Sequence, residues 1–284
     1  MRLTKEQQDL ITRAENNMLD LMYDFEQDVE EHVKLFEEVY EVINRYLSDL
    51  YEQYQYIDEI TKTELMLESV RYNRLNQQIS QQLVTLTSNY IDFLEGSLEE
   101  NYKETVEQTS ESMEKVGRSL PLLDKVELLE EDRIKGISHN GHNGYDFGQG
   151  LEERAETHIN KVIEIINDGI REKLDSQTLA EQLLKAGGSF LYILRSTGRT
   201  ETARLINRAI LDVYIELGIT KVKWLDSTEL TEIIYGETGF PNVCIDCQNW
   251  ANGGENGEGI YLIKDVVNCP LHTNCRCVLV AWLG

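Results

Sequence analysis

No proline interrupts the first 120 residues of this chain, and within that stretch apolar residues recur in steps of three and four. Val33, Phe36, Tyr40, Ile43, Leu47, Leu50, Tyr54 and Ile57 form one run. Tyr72, Leu75, Ile79, Leu83, Leu86, Tyr90 and Phe93 form a second. Proline would remove a backbone donor and clash with the preceding turn, so its absence permits long helices. The spacing places each run on one face, the pattern of a packed helical seam. Thr61-Lys62-Thr63-Glu64, between the runs, has the form of a capping box, as does Thr4-Lys5-Glu6-Gln7 near the start. The expectation is two or more antiparallel helices, each roughly 35 residues and about 50 Å long. Periodicity leaves open whether they form a self-contained bundle or a rod that docks on other subunits. Tyr40, Tyr54, Tyr72 and Tyr90 lie in the seam, and their hydroxyls favour a narrow, partly wet contact over a deep core.

Composition shifts at Lys135–Gly150, where glycine, asparagine and histidine cluster. This reads as a loop and a boundary. His139 and His142 could share a metal, but no third ligand is near, and solvated loop histidines are the simpler reading. Three segments follow: residues 1–134 as an acidic long-helix domain, 135–150 as a linker, and 151–284 as a second domain. In the second domain a helix is expected from Leu151 to about Lys173, with Ile159, Val162, Ile163 and Ile166 on one face. Asp175-Ser176 caps the next helix, and Gly187-Gly188 is expected to end it. A further helix begins near Thr200 and stops at Gly218. Strands are expected at Thr220–Leu225, Gly259–Val266 and Val278–Trp282, with Asn252–Gly259 a turn. The fold class is therefore mainly α, a long-helix hairpin or bundle followed by a smaller α+β domain.

There are 51 acidic and 27 basic residues, a net charge of −24. Most of such a surface repels DNA and anionic lipid, and no basic run marks a nucleic-acid groove. The opening MRLTKEQQDL carries no apolar signal region, and no apolar stretch is long enough to span a membrane. The expectation is a protein made and kept in a cytoplasm.

All five cysteines lie near the C-terminus. The pattern is Cys244-x2-Cys247, then Cys269-x2-His272-x2-Cys275-x-Cys277. A CxxC pair sets two thiolates on one turn at the spacing of a tetrahedral zinc site, and a second group can complete it. In a reducing compartment such clustering points to metal rather than to disulfides. Six candidates compete for four positions. Cys244, Cys247, Cys275 and Cys277 are the first choice for a structural Zn2+, with His272 the strongest substitute. Cys269 is the weakest candidate, because Pro270 stiffens the chain beside it. The simpler alternative is a set of buried free thiols.

From about Leu151 to Gly284 the chain resembles the phage Mu F-like minor head (head morphogenesis) protein family. The carrying residues begin with the helical stretch IINDGIREKLDSQTLAEQLL. Arg199-Thr200-Glu201, Arg204, Asn207 and Ala209 match the family's R-T-E-x-x-R-x-x-N-x-A helix. Gly218 and Trp224 follow, then Cys244-x2-Cys247. The ending Pro270-Leu271-His272-Thr273-Asn274-Cys275-Arg276-Cys277 is similar to P-L-H-P-N-C-R-C. Thr273 replaces the family's usual proline, and Cys269 stands where another proline is common. The N-terminal half is not covered. The resemblance implies a few copies in the virion interior near the portal vertex, reached through the host cytoplasm during assembly. It implies portal protein and inner capsid as partners, with transient contact to phage DNA at most, and a part in head assembly or DNA delivery.

The motif helix also has a purely physical reading. Thr200 can cap it, Glu201 sits in its first turn, and Glu201 can pair with Arg204. Its functional alternative is an exposed partner-binding patch of Arg199, Glu201, Arg204 and Arg208. Some family members carry fused toxin enzymes, so a phage enzyme with a head-targeting domain is one rival. A zinc-ribbon nucleic-acid adaptor is another, with Arg276, Lys221 and Lys223 its basic residues. No P-loop, HExxH or GxSxG motif is present, and no catalytic residue is assigned.

Overall fold

The computed structural model describes residues 5–54, 59–226 and 244–283. Helix α1 runs Lys5–Gln53, α2 Glu59–Glu68, α3 Val70–Glu114, α4 Leu122–Leu128, α5 Glu131–His139, α6 Phe147–Arg171 and α7 Ser176–Glu216. Strand β1 (Lys221–Leu225), a short helix α8 (Ile245–Ala251), β2 (Ile260–Leu262) and β3 (Val278–Ala281) complete the chain. It is mainly helical with a small antiparallel sheet of order β2-β1-β3, as the sequence implies. No helix of the described residues is long and apolar enough to cross a membrane.

By contact the chain divides into two compact units, each discontinuous in sequence. One comprises residues 28–93 and 147–195, and the other 1–27, 94–146 and 196–284. Helices α1, α3 and α7 each contribute to both.

The first unit is a helical bundle, and here the two apolar seams meet α6 and α7. Phe36 packs edge-on against Phe190, with ring centroids 5.8 Å apart. Three of the four seam tyrosines are not at a wet margin. Tyr40, Tyr72 and Tyr90 are all buried, and each hydroxyl finds a partner. Tyr40 bonds His158 Nε2, Tyr72 donates to Asn167 Oδ1 at 2.6 Å, and Tyr90 donates to the Leu194 carbonyl at 2.8 Å. The partners belong to helices far along the chain, which periodicity within one helix does not reveal. Tyr54 is half-buried, and Ile57 lies outside the described residues.

Local signals are partly reassigned. Thr4 lies outside the described residues, and Thr61 falls inside α2. Helix α3 is capped by Ser69, whose hydroxyl accepts from the Tyr72 N–H at 3.0 Å. Asp175 caps α7 as expected, accepting from the Thr178 N–H at 2.9 Å. Gly187-Gly188 does not end that helix, which runs unbroken to Glu216. Gly187 is required by packing: a Cβ there would lie 2.8 Å from the Tyr40 ring. Thr200 is likewise no helix start, since its hydroxyl donates back to the Ser196 carbonyl at 2.6 Å within the same helix.

The second unit carries the sheet. Val222 and Trp224 of β1 are fully buried, paired with Ala281 and Leu279 of β3. They share a core with Leu21 and Met22 of α1, Met113 of α3, and Ile206, Ile210 and Tyr214 of α7. Gly259 enters β2 at φ 70°, where a Cβ would lie 2.5 Å from the Ala251 carbonyl oxygen. Only glycine can make that turn so close to α8. The expected strand over 259–266 is shorter than its apolar run, because a single 3-10 turn takes over at Ile263–Asp265. Lys135–Gly150 is not an open loop: Lys135–His139 belong to α5, and α6 starts at Phe147.

Gly187 and Gly188 should respond oppositely to alanine. Gly187→Ala forces a Cβ into a ring held by its bond to His158, and should destabilise the fold by about 1–3 kcal/mol. Gly188 has open space around it. Gly188→Ala should stabilise by roughly 0.5–1 kcal/mol through helix propensity alone. Denaturant titration of both variants checks this. His158 supplies a pH test. Burial pushes its pKa down to about 4, so the unfolded chain takes up a proton that the folded one refuses. Stability is full above the unfolded value near 6.5 and erodes by roughly 3 kcal/mol as pH falls toward 4. His158→Gln should flatten the stability profile between those limits.

Candidate metal centre

The centre is built on a short helix and a tight turn. Cys244 is the N-cap of α8, its sulfur accepting from the Cys247 N–H at 3.3 Å. That cap is the physical reason a CxxC pair presents both sulfurs on one side of a helix start. The other donors come from the turn after Pro270. The Cys275 N–H closes it on the His272 carbonyl at 3.2 Å, and Asn274 takes the left-handed φ of 62°.

The donor atoms converge. Cys244, Cys247 and His272 form one group, and Cys247, Cys275 and Cys277 a second, with all donor atoms of each within 4.8 Å of one another. His272 Nε2 lies 2.9 Å from Cys244 Sγ and 3.2 Å from Cys247 Sγ. The sulfurs of Cys247 and Cys275 are 3.6 Å apart. Metal–sulfur bonds of about 2.3 Å place tetrahedral sulfurs roughly 3.8 Å from one another, so the Cys247–Cys275 spacing suits two ligands of one ion. The His272 ring is also set correctly. Its Nδ1 is 2.8 Å from the Thr273 carbonyl, which can only accept, so Nδ1 carries the proton and the Nε2 lone pair faces the sulfurs.

The thiols share charge. A hydrogen bond from Cys247, with the other thiols around it, holds Cys275 well below the usual thiol range. The bond to Cys275 pushes Cys247 up, and burial pushes Cys269 up. A cation would replace these shared protons, so affinity should fall as pH falls. The structure brings together all five predicted ligands, with Cys247 common to both groups. Cys269 belongs to neither, and its thiol donates to the Cys277 carbonyl at 3.1 Å.

What holds this turn is the motif helix, in the C-terminal half of α7. Thr200 Oγ1 accepts from the Asn274 N–H at 3.0 Å. Asn207 donates to the Cys277 carbonyl at 3.0 Å and accepts from the Leu279 N–H at 2.9 Å. Arg276 and Arg199 both bond Glu26 of α1, at 2.8 and 3.0 Å. Glu201 accepts from the His142 N–H at 2.9 Å and from Arg204 at 2.6 Å, and Arg204 donates to the carbonyls of Ile137 and Ser138 at 3.1 Å. Arg208 pairs with the buried Asp212 at 3.0 Å. The four candidate partner-binding residues are therefore engaged within the chain; Glu201 is 4% exposed, whereas Arg208 is exposed. His139 faces Glu95 at 3.6 Å, and neither it nor His142 joins a metal-ligand group among the described residues. Asn207 was part of the sequence motif, but its role as a clamp on β3 has no signature in local spacing.

Comparison with family models, with characterised proteins and with solved structures finds no match.

Elemental analysis of protein purified without added metal should find about one metal ion per chain. Cys247→Ser, which removes the donor common to both groups, should abolish binding. Cys269→Ser should retain it. Equal retention by both variants would refute the site.

Proposed function

We propose that the chain is a phage minor head protein, a low-copy structural component that binds the portal or inner capsid and assists head assembly or DNA delivery. One observation carries most of the reading. The two most specific pieces of the resemblance, Arg199–Ala209 and Pro270–Cys277, are some 60 residues apart in sequence, yet they bond each other through Thr200–Asn274 and Asn207–Cys277. The resemblance and these contacts thus fall on the same residues.

The ion of the C-terminal cluster is read as zinc with a structural role. Thiolate and imidazole are its usual donors, and a site closed by four protein ligands leaves no open position for a substrate. Protein rather than DNA is the main partner. The chain's net charge is −24, and Arg199, Arg204, Arg208 and Arg276 each face a carboxylate of the chain itself.

Co-expression with the portal protein of the same genome, in the absence of phage DNA, tests the assignment. The two should co-purify at moderate salt. Failure to associate, with retention of the chain on DNA under the same conditions, would reverse the order of partners.

A further inference from the structure

The bundle unit carries a surface groove that neither the head assignment nor the metal centre uses. It lies between α6 and α7 and has a volume of about 560 Å³. It is lined on α6 by Arg154, His158, Lys161 and Ile165, and on α7 by Gln182, Ala186, Phe190 and Ile193. Both rows advance in steps of three and four, so the groove runs along twelve residues of each helix, about 16 Å or three turns. Phe190 and His158 form a stacked floor, ring centroids 4.5 Å apart, and Ile165, Ala186 and Ile193 remain partly exposed beside it.

Its charge is opposite to that of the chain. Arg154, Lys161 and Lys185 line it, and no carboxylate does. In a sequence with 51 acidic residues among 284, such a lining stands apart. Lys161 reaches Glu164 at 2.6 Å, outside the lining. Arg154 and Lys185 have no ion-pair partner among the described residues, and all three cations are exposed. An apolar channel three turns long, edged by cations, has the dimensions and charge of a helix-in-groove site.

We propose that this groove receives an acidic amphipathic helix, about three turns long, from a partner protein. Apolar side chains at i, i+4 and i+7 of that helix would cover Ile165, Ala186 and Ile193, and flanking carboxylates would meet Arg154, Lys161 and Lys185. The inference does not rest on the head assignment, and either can fail alone.

The test uses the full chain and a labelled helical peptide of about fifteen residues, with leucines in steps of three and four and glutamates between them. Its controls are the same composition in scrambled order and a version with lysine in place of glutamate. Fluorescence anisotropy should show the acidic helix binding at least about tenfold more tightly than either control, weakening with salt. Arg154→Glu with Lys185→Glu should lose that binding by about tenfold or more with an unchanged melting curve, since both side chains are exposed. Ile193→Gln should weaken it as well. Equal binding of the scrambled peptide, or no binding at all, would overturn the proposal. So would self-association of the wild type that the double variant loses, which would make a second copy the occupant. Duplex DNA retained by the wild type and released by the variant would do the same in favour of nucleic acid.

Discussion

Buried polar groups along α7 fix the unit that carries the candidate metal centre. Thr200, Glu201, Asn207 and Asp212 are each almost wholly excluded from solvent. A buried polar group without a partner costs about 1–3 kcal/mol, and a buried carboxylate more. Each of these four is answered by a different part of the chain: the turn after Pro270, the segment around His142, the start of β3, and, for Asp212, Tyr102 of α3 and Arg133 of α5. Apolar packing alone would tolerate sliding of these segments. Four directional demands on one helix leave a single arrangement that satisfies all of them.

That arrangement reaches the metal centre. The donors of His272, Cys275 and Cys277 sit on a turn with little regular structure of its own, and an irregular turn is a poor template for a tetrahedron. Thr200 holds its middle at Asn274, and Asn207 holds its exit at Cys277. The ligands are thereby brought within reach of Cys244 and Cys247 by contacts that no ion needs to supply. Leu21, Met22 and Glu26 of α1 join the same core and the same bridges. The tail therefore shares one core with α1 from the first third of the chain, and disruption of the cysteine cluster should be felt there too.

How much of this could be read in the sequence follows from the range of each interaction. The helical seams and the cysteine group were legible, because both signals are local: a repeat of three and four residues, and a pair of thiols one turn apart. The strands at Lys221–Leu225 and Val278–Ala281 were legible for the same reason. Gly187-Gly188 misled because glycine ends a helix by its own conformational freedom, yet here Gly187 is demanded by Tyr40, more than a hundred residues earlier. The seam tyrosines were underread likewise, since what makes them core residues is His158, Asn167 and Leu194 on helices that follow much later. For the turn after Pro270, spacing named the thiols and the imidazole that converge. It could not reveal the Thr273 carbonyl that sets the His272 tautomer and brings that ring beside Cys244.

The placement of arginine bears on what such an acidic surface can bind. Arg133, Arg195, Arg199, Arg204, Arg208 and Arg276 each face a carboxylate of the chain. Arg195 does so bidentately, donating to both oxygens of Glu30 at 2.6 and 2.7 Å. Guanidinium suits this use because its planar fork can hold two acceptors in fixed geometry while remaining charged. Such arginines are poorly placed to release counterions from a nucleic acid, since binding phosphate would first break an internal pair. Arg154 and Lys185, at the groove between α6 and α7, stand outside these internal pairs. A negative partner would meet there cations that no internal pair holds, against an apolar floor that favours a folded, amphipathic ligand over a bare polyanion.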